Sequence, residues 1–69
     1  MRIYNFQSQR HVTFDIDKVT KAEYGAHHES IKIWVGGDRP LILNFNLELH
    51  GAEQFRKLET RLFGLGLLT

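Results

Sequence analysis

Three places along the chain carry residue types that could do chemistry. The run His27-His28-Glu29 has the side chains of metal ligands. Neighbours in a strand point to opposite faces, and a loop rarely aims three consecutive residues at one ion. His11 and His50 are distant in sequence and could join only through the fold, and no outer partners can be named that would orient a ligating imidazole. The run therefore reads as solvated loop histidines, able to make the protein pH-sensitive near about pH 6–7, with no metal expected. Asp15 and Asp17 lie two apart and would share one face of a strand. A carboxylate pair needs an enclosing pocket to act as acid and base, which 69 residues rarely build. The segment Val35-Gly-Gly-Asp-Arg-Pro40 has glycines and a cation, but lacks the Gly-Lys-Ser/Thr ending and the following helix of a phosphate loop. There is no cysteine to serve as nucleophile, zinc ligand or disulfide partner. The expectation is a protein that is not an enzyme and carries no cofactor.

A fourth feature points to binding rather than catalysis. In the stretch from Ser30 to Phe45, Ile31, Ile33 and Val35 alternate with Lys32 and Trp34, and after a turn Leu41, Leu43 and Phe45 alternate with Ile42, Asn44 and Asn46. Strict alternation is the mark of strands with one buried face. The only tryptophan of the chain thus falls among the polar positions. Pairing Val35 with Leu41 sets Ile33 opposite Leu43 and Ile31 opposite Phe45. It also sets Trp34 opposite Ile42 and Lys32 opposite Asn44, within cross-strand contact. Gly36 and Gly37 are expected to supply positive φ in the turn, and Pro40 to fix the chain's re-entry.

The remaining elements must place that hairpin. Arg2 to Phe6 reads as a short first strand, followed by a polar turn over Gln7 to Arg10. His11 to Ile16 alternates, with Val12, Phe14 and Ile16 on one face. Val19 to Gly25 reads as a further strand of uneven phase: Ala22 and Tyr24 share a face that Val19 does not, which predicts a bulge or a late start. Gly25 and Ser30 bound a loop. From about His50 the period becomes helical, with Ala52, Phe55, Leu58 and Leu62 on one stripe. Glu48 and Glu53 come early, and Arg56, Lys57 and Arg61 late, as the helix dipole favours. Glu53 and Lys57 sit at i and i+4, a spacing expected to add a small gain. Gly64 is the expected stop. Before the helix, either Leu47 and Leu49 extend the preceding strand or Asn46 caps an earlier helix start.

The fold class is α+β: one domain over residues 1–69, an antiparallel β-meander of three to five strands with one C-terminal helix packed on one face. The order of strands and helix over roughly residues 11 to 64 is similar to the last half of a pleckstrin-type domain and to many very small bacterial and phage proteins. That likeness is one of topology, with no motif attached, and implies nothing about activity.

Composition bounds the partners. The chain is 42% hydrophobic and 25% charged with net charge +1, a globular balance too mild to call for nucleic acid or an anionic membrane. No signal peptide and no membrane span are read, and the expected setting is the cytoplasm. Domains of this size bury only about 60% of their unfolded surface, so tight packing or self-association must stabilise it. One helix covers one side of a sheet. The other side is expected to present Lys32, Trp34, Ile42 and Asn44, with Thr13, Asp15, Lys21 and Glu23 around them. The uncharged tail with Leu65, Leu67 and Leu68 must either fold back on its own core or dock on a second copy. The expected function is a small protein-interaction module, self-associating as a homodimer or binding another protein through these residues. The alternative is weak binding of single-stranded nucleic acid through Trp34 and Lys32. The size suits a bacterial or phage accessory protein.

Overall fold

The computed structural model describes residues 1–25, 29–48 and 51–68. His27, His28, Leu49 and His50 lie outside the described residues, and with them the histidine run and one end of the strand-or-helix question.

Two antiparallel units and one helix make up the fold. A hairpin is formed by β1 (Arg2–Asn5) and β2 (Arg10–Thr13), and a three-stranded sheet runs β3 (Val19–Tyr24), β4 (Ser30–Val35), β5 (Leu41–Asn44) in spatial order. The helix α1 (Gly51–Gly64) follows. This is an α+β architecture whose meander is limited to β3–β5, with the N-terminal strands split off as a separate hairpin.

The alternating positions bury as their period demands. Ile31, Ile33 and Leu43 on the inner face of the sheet meet Leu58 and Leu62 of the helix, and Ile3, Phe14 and Ile16 close the core from the hairpin side. The phase break in β3 is a bulge between Val19 and Lys21, which returns Val19 and Ala22 to the same inner face. The strand expected over His11 to Ile16 ends earlier, at Thr13. Phe14 and Ile16 still bury, but Asp15 caps a 3-10 helix (Ile16–Lys18), its carboxylate accepting from the Asp17 N–H at 3.0 Å. Asp15 and Asp17 are therefore joined as cap and turn, not aligned as a carboxylate pair on a strand.

The register of the β4–β5 hairpin differs from the expected one by two residues. Ile33 lies opposite Leu41, Ile31 opposite Leu43 and Lys32 opposite Ile42, while Asn44 faces Ser30. Trp34 and Val35 run past the start of β5 and pair only with β3, at Lys21 and Val19. The position beyond Leu41 is Pro40, which has no N–H to continue the ladder. In the turn only Gly36 takes a positive φ (71°); Gly37 does not.

Side-chain amides join the pieces. On the outer edge of β5 the Asn5 carboxamide donates to the Ile42 carbonyl (3.1 Å) and accepts from the Asn44 N–H (3.0 Å), the two contacts that a neighbouring strand would make. The Phe6 N–H extends the junction to the Asn44 carbonyl (2.9 Å). The Tyr4 N–H, two residues back on the same edge of β1, is taken by Gln54 Oε1 of the helix (2.8 Å). The outward N–H groups of Tyr4 and Phe6 are thus satisfied, as a partly covered edge requires.

The helix starts at Gly51, as the period from about His50 led one to expect, but its stop departs from expectation. Asn46 makes an Asx turn onto the Glu48 N–H (3.1 Å), and its carbonyl accepts from Gly51 N–H (3.1 Å). A Cβ on Gly51 would stand 2.4 Å from the Asn46 carbonyl oxygen, so a residue without one belongs there. At the other end Gly64 remains helical, and the left-handed residue is Gly66 (φ 75°). The Leu67 N–H bonds to the Leu62 carbonyl and the Gly66 N–H to the Phe63 carbonyl, both at 3.0 Å, which is the Schellman arrangement. It turns the tail so that Leu68 enters the core and Leu67 packs beside it.

Two stability outcomes follow from these joints. Asn5→Ala removes both contacts on β5 and should cost about 1–3 kcal/mol, with hydrogen exchange showing lost protection at the Asn44 amide but not at Ile33. Gly66→Ala, measured by thermal unfolding, should cost about 1 kcal/mol, because a Cβ resists the left-handed backbone.

Candidate functional site

The outer face of the three-stranded sheet is set by strand parity. With Ile31, Ile33 and Leu43 pointing inward, Lys32 and Trp34 of β4 and Ile42 and Asn44 of β5 point outward. On β3 the outward partners are Lys21, opposite Trp34, and Glu23, opposite Lys32. Lys32, Trp34, Ile42 and Asn44 thus share one surface, though Trp34 and Ile42 are diagonal neighbours rather than a direct pair. The helix occupies the opposite face, and the hairpin attaches along the β5 edge.

Trp34 is half-buried. Its cover comes from Lys21, whose Nζ lies 4.8 Å from the ring centroid. Such a contact at an exposed site is worth about 0.5–1 kcal/mol. Lys21 also pairs with Glu23 at 3.4 Å, with both side chains more than half exposed. That pair adds little stability in water, but it fixes where the charges sit. Lys32 faces Glu23 across the ladder yet has no ion-pair partner among the described residues. Ile42 is 48% exposed. Asn44 is committed to the hairpin turn, its Nδ2 donating to Gln7 Oε1 at 2.8 Å. The surface is an indole and an isoleucine framed by two lysines and one glutamate. It can bury apolar area and exchange charge.

The tail divides. Leu67 and Leu68 serve the chain's own core, and Leu65 faces outward at 44% exposure, with Phe63 similarly exposed on the last turn of the helix. Among the described residues no group of three His, Cys, Asp or Glu side chains comes together to hold a metal ion, and no helix is long and apolar enough to cross a membrane.

A further tie between the helix and the inner face was not announced by the sequence. The Tyr24 hydroxyl at the end of β3 donates to the Glu59 carboxylate, and Phe55 sits between the Tyr24 and Phe45 rings at 6.3 and 5.2 Å. The hydrogen bond to Glu59, then burial, then the Glu59 charge push the Tyr24 hydroxyl up to about 12. Neither this pair nor Lys21 over Trp34 is legible from spacing, since both depend on where the strands and helix meet.

Comparison with known proteins returns no match, whether to a protein family, a curated protein or a solved structure.

The raised Tyr24 hydroxyl fixes a pH window. Tyrosine in the unfolded chain ionises near about 10, and in the folded chain Tyr24 ionises at about 12. Its contribution is fully present below the lower value and is lost as pH rises through the upper one. Denaturant melts of wild type and Tyr24→Phe should therefore differ most at neutral pH and converge above about 12. Phenolate absorbance should show one late-titrating tyrosine that is absent from the variant.

Proposed function

We propose that the protein is a non-enzymatic interaction module that self-associates through the outer sheet face centred on Trp34. The observation that carries this reading is the half-buried indole, covered by one lysine, beside an exposed Ile42. Trp concentrates binding energy because it joins a large apolar area to a single donor. A second copy is the occupant that fits. The face offers both signs of charge, with Lys32 opposite Glu23 and without an ion pair of its own. In a two-fold arrangement each copy's Lys32 can meet the other's Glu23, so one patch satisfies itself.

Area sets the strength. Two strands of six residues and one of four span at most roughly 14 by 20 Å, or about 300 Å², against the ~800 Å² per partner of a standard stable interface. An interface well below that size belongs to the weak, transient class, so the dimer is expected to exchange rapidly with monomer. A cytoplasmic setting goes with this reading, since a chain without cysteine gains nothing from an oxidising compartment. Single-stranded nucleic acid has less support as the occupant: Lys21 already lies on the ring face that a base would stack upon, and Glu23 repels phosphate.

Sedimentation velocity across a concentration series tests the proposal. Wild type should shift toward dimer as concentration rises, and Trp34→Ala should stay monomeric. Glu23→Lys and Lys32→Glu should each weaken association, and the double exchange should restore it. A wild-type chain that remains monomeric throughout, or variants that associate as wild type does, rejects the reading.

A further inference from the structure

A second surface lies on the helix side of the molecule, away from the outer sheet face. Between β1 and α1 runs an open groove of about 550 Å³, lined by Met1, Arg2, Ile3, Ile16, Gln54, Lys57 and Arg61. Three of these residues are cations and three are apolar. We infer that this groove binds a small organic anion, with a phosphate or carboxylate head among Arg2, Lys57 and Arg61 and an apolar body along Met1, Ile3 and Ile16.

Sequence and fold together make this groove. Gln54, Lys57 and Arg61 stand at i, i+3 and i+7, one stripe of the helix. The hydrogen bond from Tyr4 N–H to Gln54 Oε1 brings β1 alongside that stripe and adds Arg2 to it. Like charges gathered at one place repel, and a helix could have turned an acid to this side. Among the described residues the acid in ion-pair contact with the cluster is Asp17, whose Oδ1 lies 3.9 Å from Arg61 Nη2, with both side chains more than half exposed. The side chains of Arg2 and Lys57 have no ion-pair or hydrogen-bond partner among the described residues. Gln54 uses its carbonyl oxygen on Tyr4, which leaves its amide N–H₂ group as a neutral donor. The lining therefore offers two guanidinium forks suited to planar or tetrahedral oxyanions, an ammonium, an amide donor and an apolar floor. The volume is within the range of small-molecule sites. Because the cations are exposed, binding is modest and salt-sensitive.

The probes are hexyl phosphate, hexanoate and inorganic phosphate, titrated into ¹⁵N-labelled protein at low ionic strength. Saturating amide shifts concentrated on Arg2, Ile3, Gln54, Lys57 and Arg61 support the inference, with hexyl phosphate or hexanoate binding on the order of 1 mM or tighter. Which of the two binds more tightly identifies the head group. Inorganic phosphate should bind at least several-fold more weakly than hexyl phosphate. Lys57→Gln combined with Arg61→Gln should lower affinity at least tenfold, and Asp17→Asn, which removes the competing carboxylate, should raise it two- to threefold. The Asp17 variant keeps the test decisive if the double variant loses structure. No saturating shifts, shifts spread equally over Lys18, Lys32 and Arg39, or equal binding of inorganic and hexyl phosphate overturn the inference. The dimer reading stands or falls separately, because its readout is mass and its residues lie on the other face.

Discussion

One helix must cover a sheet that has two faces. That constraint governs the rest of the structure. The helix takes the side carrying Ile31, Ile33 and Leu43 and seals it with Leu58 and Leu62. Among the described residues no second layer covers the other side, which is left to Lys21, Glu23, Lys32, Trp34 and Ile42. A polar face in water needs no cover, but an indole and an isoleucine within it bury further area only when something docks there.

A chain this short also lacks spare backbone to complete its edges, and polar side chains stand in. Asn5 takes the place of a strand on β5, Gln54 satisfies an edge donor of β1, and Tyr24 with Glu59 ties the last strand-end of β3 to the helix. The tail adds Leu68 to a core that would otherwise be short of apolar area. Each device fixes orientation as well as contributing energy. The Gln54 contact positions the hairpin beside the helix and so creates the cationic groove. The Asn5 contact holds the hairpin at the β5 edge and keeps it off the outer face. The two surfaces are thus consequences of how the small units are joined.

Much of this was legible in the residues. Alternation gave the strands from Ser30 to Asn44 and which of their side chains face in or out, and helical periodicity gave the stripe ending at Leu62. The bulge in β3 showed as a slip of phase between Val19 and Ala22. The register of the β4–β5 hairpin did not show, because a shift of two residues leaves every side chain on its expected face. It moves Trp34 past the start of β5, so Ile42 becomes a diagonal neighbour and Trp34 is left paired with Lys21 of β3 alone. Gly64 and Gly66 are both residue types that end helices, and the turn at Gly66 is the one that delivers Leu67 and Leu68 to the core. The groove was invisible because Arg2 and Lys57 are far apart in sequence and meet only through the bond from Tyr4 to Gln54.

The indole of Trp34 reports directly on whether the outer face is open in the single chain and closed by a second copy. Trp34 is the chain's only tryptophan, so its fluorescence, with acrylamide as quencher, reads one position without ambiguity. In dilute, monomeric solution the expected result is partial accessibility to the quencher, with protection and a blue shift growing as concentration rises. Emission that is already blue-shifted and resistant to quencher in the monomer, and unchanged on concentrating, would contradict the one-sided sheet on which the account rests.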